Sequence, residues 1–200
     1  MFHNNDITLL LAALNFAAVK HRNGRRKDKQ ASPYINHPIE VAQTLWQIGA
    51  VRDMITIIGA LLHDTLEDTD TTATEIQDLF GTEVLSLVQE VTDDKSLPKL
   101  ERKRLQIEHA PHHTTRAKQL KLADKICNIG DIGHSPPKNW SLQRCNEYLD
   151  WAEQVVVGLR GINQDLDAHY DSVLIAAKNM LNNPKTGIVE LKLKPLSDGY

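Results

Sequence analysis

Apolar positions recur at three- and four-residue intervals along nearly the whole chain, the pattern of helices that each bury one stripe. Ile7, Leu10, Leu11, Leu14, Ala17 and Ala18 mark a first helix over residues 6–21, with Asp6 as its N-cap. Pro38 stands where the first turn of a second helix tolerates proline, and Val41, Ala42, Leu45 and Ile48 carry that helix to a stop at Gly49. A third helix is expected over about 52–66. Thr72-Ala73-Thr74-Glu75 reads as a capping box that opens a short helix ending at Gly81, and Val84, Leu85, Val88 and Val91 continue the period over 83–91. Pro98 begins another helix, and residues 115–129 carry Leu120, Ala123, Ile126 and Ile129. Ser141 caps a longer one running through Cys145, Leu149, Ala152, Val156 and Leu159, and a last helix covers about 162–181. The alternating run Ile188–Leu193, beyond Pro184, reads as a tail or a small added strand. The expectation is an all-α protein with one helical domain over 1–181 and a C-terminal tail over 182–200.

Composition agrees with a single globule. Two hundred residues, 41% hydrophobic and 24% charged with ten Gly and eight Pro, suffice for one sizeable core. Residues 7–14 lack a basic leader and continue amphipathically through Asn15 and Lys20, so they read as a core helix and not as a signal segment. No stretch approaches the ~18 apolar residues of a membrane span. Cys127 and Cys145 sit among periodic apolar residues without a CxxC pair, which favours buried thiols in a reducing compartment over a disulfide. A cytoplasmic location is expected.

The chemistry concentrates at residues 60–68, Ala-Leu-Leu-His-Asp-Thr-Leu-Glu-Asp. On a continuous helix His63 would stack over Glu67, and Asp64 over Asp68. Acids set against the apolar run Ile55–Leu62 cost several kcal/mol unless paired or metal-bound. The His-Asp dipeptide alone has little weight, because nine His and sixteen Asp in 200 residues give roughly 0.7 such pairs by chance. Two further residues supply context. His37 opens the second helix beside Pro38, and Asp124 lies on an otherwise apolar helix between Ala123 and Ile126. Taken singly, His37 reads as a capping histidine and Asp124 as a salt-bridge residue. Together with His63-Asp64 they read as a metal site.

Charge narrows the class of ligand. The net charge of −3 and a pI near 6.3 argue against bulk nucleic-acid binding, and the basic runs hold few aromatics to stack bases. Basic residues nevertheless cluster, as Lys20, Arg22, Arg25, Arg26, Lys27 and Lys29, and again as Lys95, Lys99, Arg102, Lys103 and Arg104. Two cationic patches beside an acidic metal cluster suit a small phosphorylated nucleotide. The polar segments 22–36, 92–97 and 130–140 are the loops on which binding residues would lie.

The ordered blocks Tyr34-Ile35-Asn36-His37-Pro38, Ala60 to Thr69, Phe80-Gly81, Val91-Thr92 and Lys121-Leu-Ala-Asp124-Lys125…Asn128 resemble the HD-domain metal phosphohydrolases. More closely they resemble the hydrolase domain of the RelA/SpoT superfamily, in its free-standing form of the metazoan SpoT-homologue type. The block Thr92-Asp93-Asp94-Lys95…Leu97 to Arg104 extends the similarity, which spans about residues 5–180. This resemblance implies an all-α HD-domain bundle that hydrolyses the 3′-pyrophosphate of (p)ppGpp to GDP or GTP and pyrophosphate, with Mn²⁺ as cofactor. It also implies His37, His63, Asp64 and Asp124 as metal ligands, and Glu67 and Asp68 as the catalytic pair that orients or deprotonates the attacking water. Arg26 and Lys27 match the basic pair near the substrate, and Asn128 the polar residue after the last ligand. Lys99, Arg144 and Tyr148 are further candidates for phosphate or nucleotide contacts. Gly24 stands where the family typically has Gln.

The residues support manganese independently. Two imidazoles and two carboxylates with open positions for water suit Mn²⁺ better than all-oxygen Ca²⁺ cages or closed four-ligand structural Zn²⁺. Alternatives are removal of the 2′-phosphate of NADPH, a silent alarmone-binding module, and a nucleic-acid-processing HD enzyme. The silent module predicts loss of a ligand or of Glu67-Asp68, and all six are present. Whether the chain forms a homo-oligomer is open, since Trp46, Trp140 and Trp151 fit core or interface equally.

Overall fold

The structure, a computed structural model, describes residues 4–183, and among them ten α-helices form the bundle that the hydrophobic period predicts. In chain order these are α1 (Asn4–Lys20), α2 (Asn36–Gln47), α3 (Met54–Leu62), α4 (Thr65–Asp68), α5 (Ala73–Phe80), α6 (Thr82–Val91), α7 (Lys99–His109), α8 (Thr115–His134), α9 (Leu142–Val157) and α10 (Gln164–Asn182). A 3₁₀ turn at Ala110–His112 links α7 to α8. The only strand-like pairing among the described residues is one antiparallel bridge, Arg25 to Pro33, which closes the loop after α1. The expected tail or strand at Ile188–Leu193 lies outside the described residues.

Helix α8 is the spine. Its Leu120, Leu122, Ala123, Ile126 and Ile129 are buried, and it packs on α10, α2, α9, α3 and α6. Fully buried Leu45, Leu62, Ile76, Leu149 and Tyr170 join it in one continuous core. Burial of each large aliphatic side chain contributes about 1.5–3 kcal/mol, which is why the apolar stripe decides the fold. Buried Lys121 and Lys125 lie on the same helix, a feature that a purely apolar stripe does not forecast.

Caps set the helix boundaries. Thr72 and Glu75 form the expected capping box, and Ser141 accepts from the Arg144 N–H to start α9. Gly81, with φ of +88°, ends α5 and opens α6. Three expectations need correction. Asp6 is in the first turn of α1, where its charge meets the positive helix end, and not at the N-cap. After α2 the left-handed residue is Ala50, with φ of +48°, while Gly49 is needed for close approach to Leu166, whose Cγ a Cβ would meet at 3.0 Å. The expected helix over 52–66 begins after its N-cap Asp53 and breaks at His63-Asp64. There the Thr65 hydroxyl donates to the Leu62 carbonyl at 2.6 Å, and Asp64 adopts φ −94°, ψ −3°. A side chain that takes a backbone acceptor competes with the helical ladder.

Candidate active site

Two helices and the break between α3 and α4 bring the metal-binding candidates together. His37 comes from the first turn of α2, Asp124 from the middle of α8, and His63 and Asp64 from the break between α3 and α4. His37 Nε2 lies 3.1 Å from Asp124 Oδ1 and 3.9 Å from Asp64 Oδ2. His63 Nε2 lies 3.1 Å from Asp64 Oδ2 and 3.9 Å from Asp124 Oδ1. One ligand atom each from His37, His63 and Asp124 falls within 4.8 Å of the others, a spacing that could hold one ion. The break in the helix serves this geometry by letting consecutive His63 and Asp64 face the same centre.

The donor set fits a divalent cation. His63 Nδ1 donates to the Ala60 carbonyl at 2.7 Å, so in the neutral ring the lone pair is on Nε2, aimed at two carboxylates. That nitrogen is buried and has no hydrogen-bond partner among the described residues. Acceptors facing acceptors require a cation or a proton between them. Burial opposes charge on His63, but Asp64, Asp124 and the Ala60 carbonyl outweigh it and raise its pKa to about 9. For Asp124, burial is outweighed by Lys125, His37 and His63, which hold its carboxyl well below the ordinary range. The remaining acceptors are oriented by neighbours. Asp64 Oδ2 accepts from the Tyr34 hydroxyl at 2.7 Å, and Asp124 accepts from Lys125 Nζ at 3.0 Å and Asn128 Nδ2 at 2.6 Å. Such partners fix ligand orientation in metal centres.

Glu67 and Asp68 follow one turn later. The Asp68 N–H bonds the carbonyl of Asp64, the N-cap of α4, at 2.8 Å, so Asp68 stands one turn beyond Asp64 on the far side of the break. Glu67 accepts from the Asp93 N–H at 3.3 Å and faces Arg102 at 3.6 Å and Lys95 at 3.9 Å. Burial, then the nearby carboxylates of Asp93, Asp64 and Asp68, push its pKa upward, the direction that suits a general base. Asp68 is ion-paired with Lys95 and takes the longer arm, 3.1 Å, of the single Tyr34 hydroxyl proton whose shorter arm goes to Asp64.

The centre lies in a cavity of about 880 Å³ that is also lined by basic and aromatic residues. Both basic runs reach it, through Arg25, Arg26 and Lys27 from one and Lys95, Lys99, Arg102 and Lys103 from the other. Lys20 and Arg104 do not line it: Lys20 pairs with Asp70 and Glu75, and Arg104 with Glu101 and Glu108. Burial, then Arg144, Lys27 and Arg102, lower the pKa of Lys99, a sign of how densely positive charge is gathered there. Arg26 is held by Asp131 and by Asn128 Oδ1 at 3.0 Å, while Asn128 in turn reaches Asp124. Thus Arg26, Lys27, Asn128, Lys99, Arg144 and Tyr148 all face one space with the metal-binding candidates.

Four contributors escaped sequence reasoning. Trp140 and Trp151 line the cavity, with Arg144 stacked 4.5 Å over Trp140 and Lys103 4.5 Å over Trp151. Tyr148 packs between the two indoles at 5.6 and 5.3 Å. Lys125 and Tyr34 support Asp124 and Asp64, and both lie inside the blocks Lys121–Asn128 and Tyr34–Pro38, where adjacency to a candidate ligand was the available signal.

Known proteins place this arrangement. The profile described as HD domain matches residues 13–147. A Xenopus tropicalis protein named guanosine-3′,5′-bis(diphosphate) 3′-pyrophosphohydrolase MESH1 is 52% identical over 172 residues, which cover 86% of this chain and 96% of that protein. The chain belongs to the MESH1 family of HD-domain proteins. The Homo sapiens MESH1 protein of the same name is 55% identical over 163 residues, covering 82% of this chain and 91% of its own. A solved structure of a metazoan ortholog of SpoT, described as hydrolysing ppGpp, superposes with a TM-score of 0.83 at 43% identity over 88% of this chain and 97% of that one. The all-α HD-domain fold expected for the family is the fold observed. No described helix is long and apolar enough to cross a membrane.

Proposed function

We propose that this chain hydrolyses the 3′-pyrophosphate of guanosine alarmones, (p)ppGpp, releasing pyrophosphate and GDP or GTP, with Mn²⁺ as cofactor. The observation that carries the reading is the convergence of two imidazole nitrogens and two carboxylates, with Glu67 and Asp68 beside them, at one end of a cavity walled by Lys and Arg. The names of the MESH1 relatives and of the SpoT ortholog support the substrate.

In this reading His37, His63, Asp64 and Asp124 hold the ion. An ion held there would supply Lewis-acid chemistry, making water a better nucleophile near neutral pH and drawing charge from the phosphoryl group. Glu67, with its raised pKa, accepts the proton as the water oxygen bonds to the phosphorus attached at the 3′ oxygen. The bond from that phosphorus to the 3′ oxygen breaks, and the 3′ oxygen leaves as the nucleotide's hydroxyl, taking up the proton that Glu67 received from the water. Asp68 orients the water, held in place by Tyr34 and Lys95. Lys99, Arg144 and Lys27 neutralise a ligand that carries two pyrophosphates, and Trp140 and Tyr148 offer faces for its apolar surface.

A Mn²⁺-supplemented comparison of ppGpp with NADPH, following pyrophosphate and free phosphate separately, tests the substrate. Pyrophosphate release from ppGpp at the higher kcat/KM is expected. Faster phosphate release from NADPH would replace the alarmone with a nucleotide 2′-phosphate.

A further inference from the structure

One hydroxyl joins the two acidic halves of the site. Tyr34 Oη lies 2.7 Å from Oδ2 of Asp64 and 3.1 Å from Oδ2 of Asp68, the residues at the two ends of the single turn α4. Its ring is held from several directions. His21, itself 3% exposed, stacks on it at 4.8 Å with 28° between planes, and the Arg26 guanidinium lies 5.7 Å from its centroid. Gly24 lets the ring sit, because a Cβ there would come within 2.9 Å of Tyr34 Cβ. The Tyr34 N–H also donates to the Gly24 carbonyl at 3.1 Å, tying ring and loop together.

Asp68 needs such an anchor. Its side chain is 34% exposed, and its other partner is Lys95, 47% exposed. An ion pair between exposed groups fixes geometry weakly, since the lysine loses rotamer freedom in holding it and salt screens the attraction. A phenol packed between a buried imidazole and a glycine turn has no such freedom, and can hold a carboxylate to the tolerance that catalysis requires.

We propose that Tyr34 is a positioning residue whose hydroxyl keeps the water-orienting carboxylate Asp68 in register with the metal-binding carboxylate Asp64. The inference rests on the roles given to those two acids under the proposed function. Tyr34 touches neither substrate nor metal in this account. It acts through its two acceptors, and Gly24 and His21 act through it.

The test compares the full chain with Tyr34→Phe, Asp68→Asn and the double variant, using ppGpp as substrate at saturating Mn²⁺. Removal of a supporting hydrogen bond of this kind lowers metal affinity or activity about 10–100-fold. Tyr34→Phe is therefore expected to lower kcat by about 10–100-fold with KM within about twofold, and to weaken Mn²⁺ binding, followed by electron paramagnetic resonance without substrate. Saturating Mn²⁺ masks the part of the effect that runs through Asp64, so the remaining loss runs through Asp68, and the double variant should turn over no more than about twofold slower than Asp68→Asn alone, whereas a merely structural role would multiply the two losses. Gly24→Ala keeps the hydroxyl but displaces the ring, and should reproduce the kcat loss if Tyr34→Phe proves unstable. Parental kcat in both Tyr34→Phe and Gly24→Ala, or multiplicative losses in the double variant, would overturn the inference. Asp64→Ala separates it from the reading beneath: retained Mn²⁺ binding there overturns the metal assignment itself, whereas a metal-free Asp64→Ala beside a fully active Tyr34→Phe overturns only the role of Tyr34.

Discussion

Lys125 Nζ donates to Asp124 Oδ2 at 3.0 Å, a bond between consecutive residues in the middle of α8 whose side chains are only 5% and 14% exposed. The bond engages one carboxylate oxygen and leaves Oδ1 facing His37 Nε2 at 3.1 Å. Burial opposes the ammonium, but Asp124 and the Tyr148 side chain sustain it and hold the Lys125 pKa above the ordinary lysine range. Removing one partner of a buried pair costs up to about 3–5 kcal/mol when the other charge is stranded, and here Asn128 and His37 still reach Asp124, so the cost falls at or below the lower end of that range. Lys125→Met is thus expected to destabilise the metal-free protein by about 1–3 kcal/mol in urea unfolding. Added Mn²⁺ should stabilise this variant more than the parent, since a cation would again balance Asp124. Equal unfolding midpoints for variant and parent would contradict the pairing.

Asp53 tethers the helices that carry His63 and Asp124. It caps α3 through the Thr56 N–H and hydroxyl and binds Arg116 of α8 at 2.8 Å. Burial would raise its pKa, but Thr56 and Arg116 prevail and lower it. A carboxyl with a depressed folded pKa stabilises the fold above its unfolded value of about 3.9, and that contribution fades as pH falls through the folded value. Asp53→Ala should cost about 0.5–2 kcal/mol at neutral pH, the usual range for a lost N-cap, with the difference from parent shrinking in acid. Denaturation from pH 7 to pH 3 checks both.

Arg144 stands at the cationic wall over Trp140, remote from Glu67 in role. Loss of a charge-assisted contact of about 1.5–3 kcal/mol should appear in binding. Arg144→Ala is expected to raise KM for ppGpp about 10-fold or more with kcat within about twofold, and to flatten the dependence of KM on salt. A fall in kcat at unchanged KM would move Arg144 from the binding wall to the chemistry.

Local physics was legible in the sequence, and long-range pairing was not. Helical period and caps such as Thr72, Ser141 and Gly81 gave element existence because both are encoded within a few residues. The break at His63-Asp64 was hidden because Ile55 to Leu62 runs smoothly into Thr65, and only the Thr65 hydroxyl bond to the Leu62 carbonyl reveals why the ladder stops. Helix α8 runs to His134 and not to 129, because Ile132 is buried and Gly130 and Gly133 let its last turns lie close to Val173 and Ala177 of α10. The convergence of His37, His63, Asp64 and Asp124 could be suspected from paired oddities, an imidazole beside proline and an acid in an apolar stripe. Trp140 and Trp151 could not be placed, because an indole that lines a cavity and one that fills a core look alike in sequence. Tyr34 is intermediate: it sits three residues before His37, yet its bond to Asp64 spans thirty positions.

The most direct test of the account is Mn²⁺ binding and ppGpp turnover measured together on Asp64→Ala and Glu67→Ala. Asp64 is assigned to the ion and Glu67 to the water's proton, so the two variants should fail differently. Asp64→Ala is expected to lose both Mn²⁺ binding and hydrolysis. Glu67→Ala should bind Mn²⁺ within a few-fold of parent while kcat falls by about 10²–10⁴, the usual contribution of a general base. Parental turnover in both variants would contradict the account.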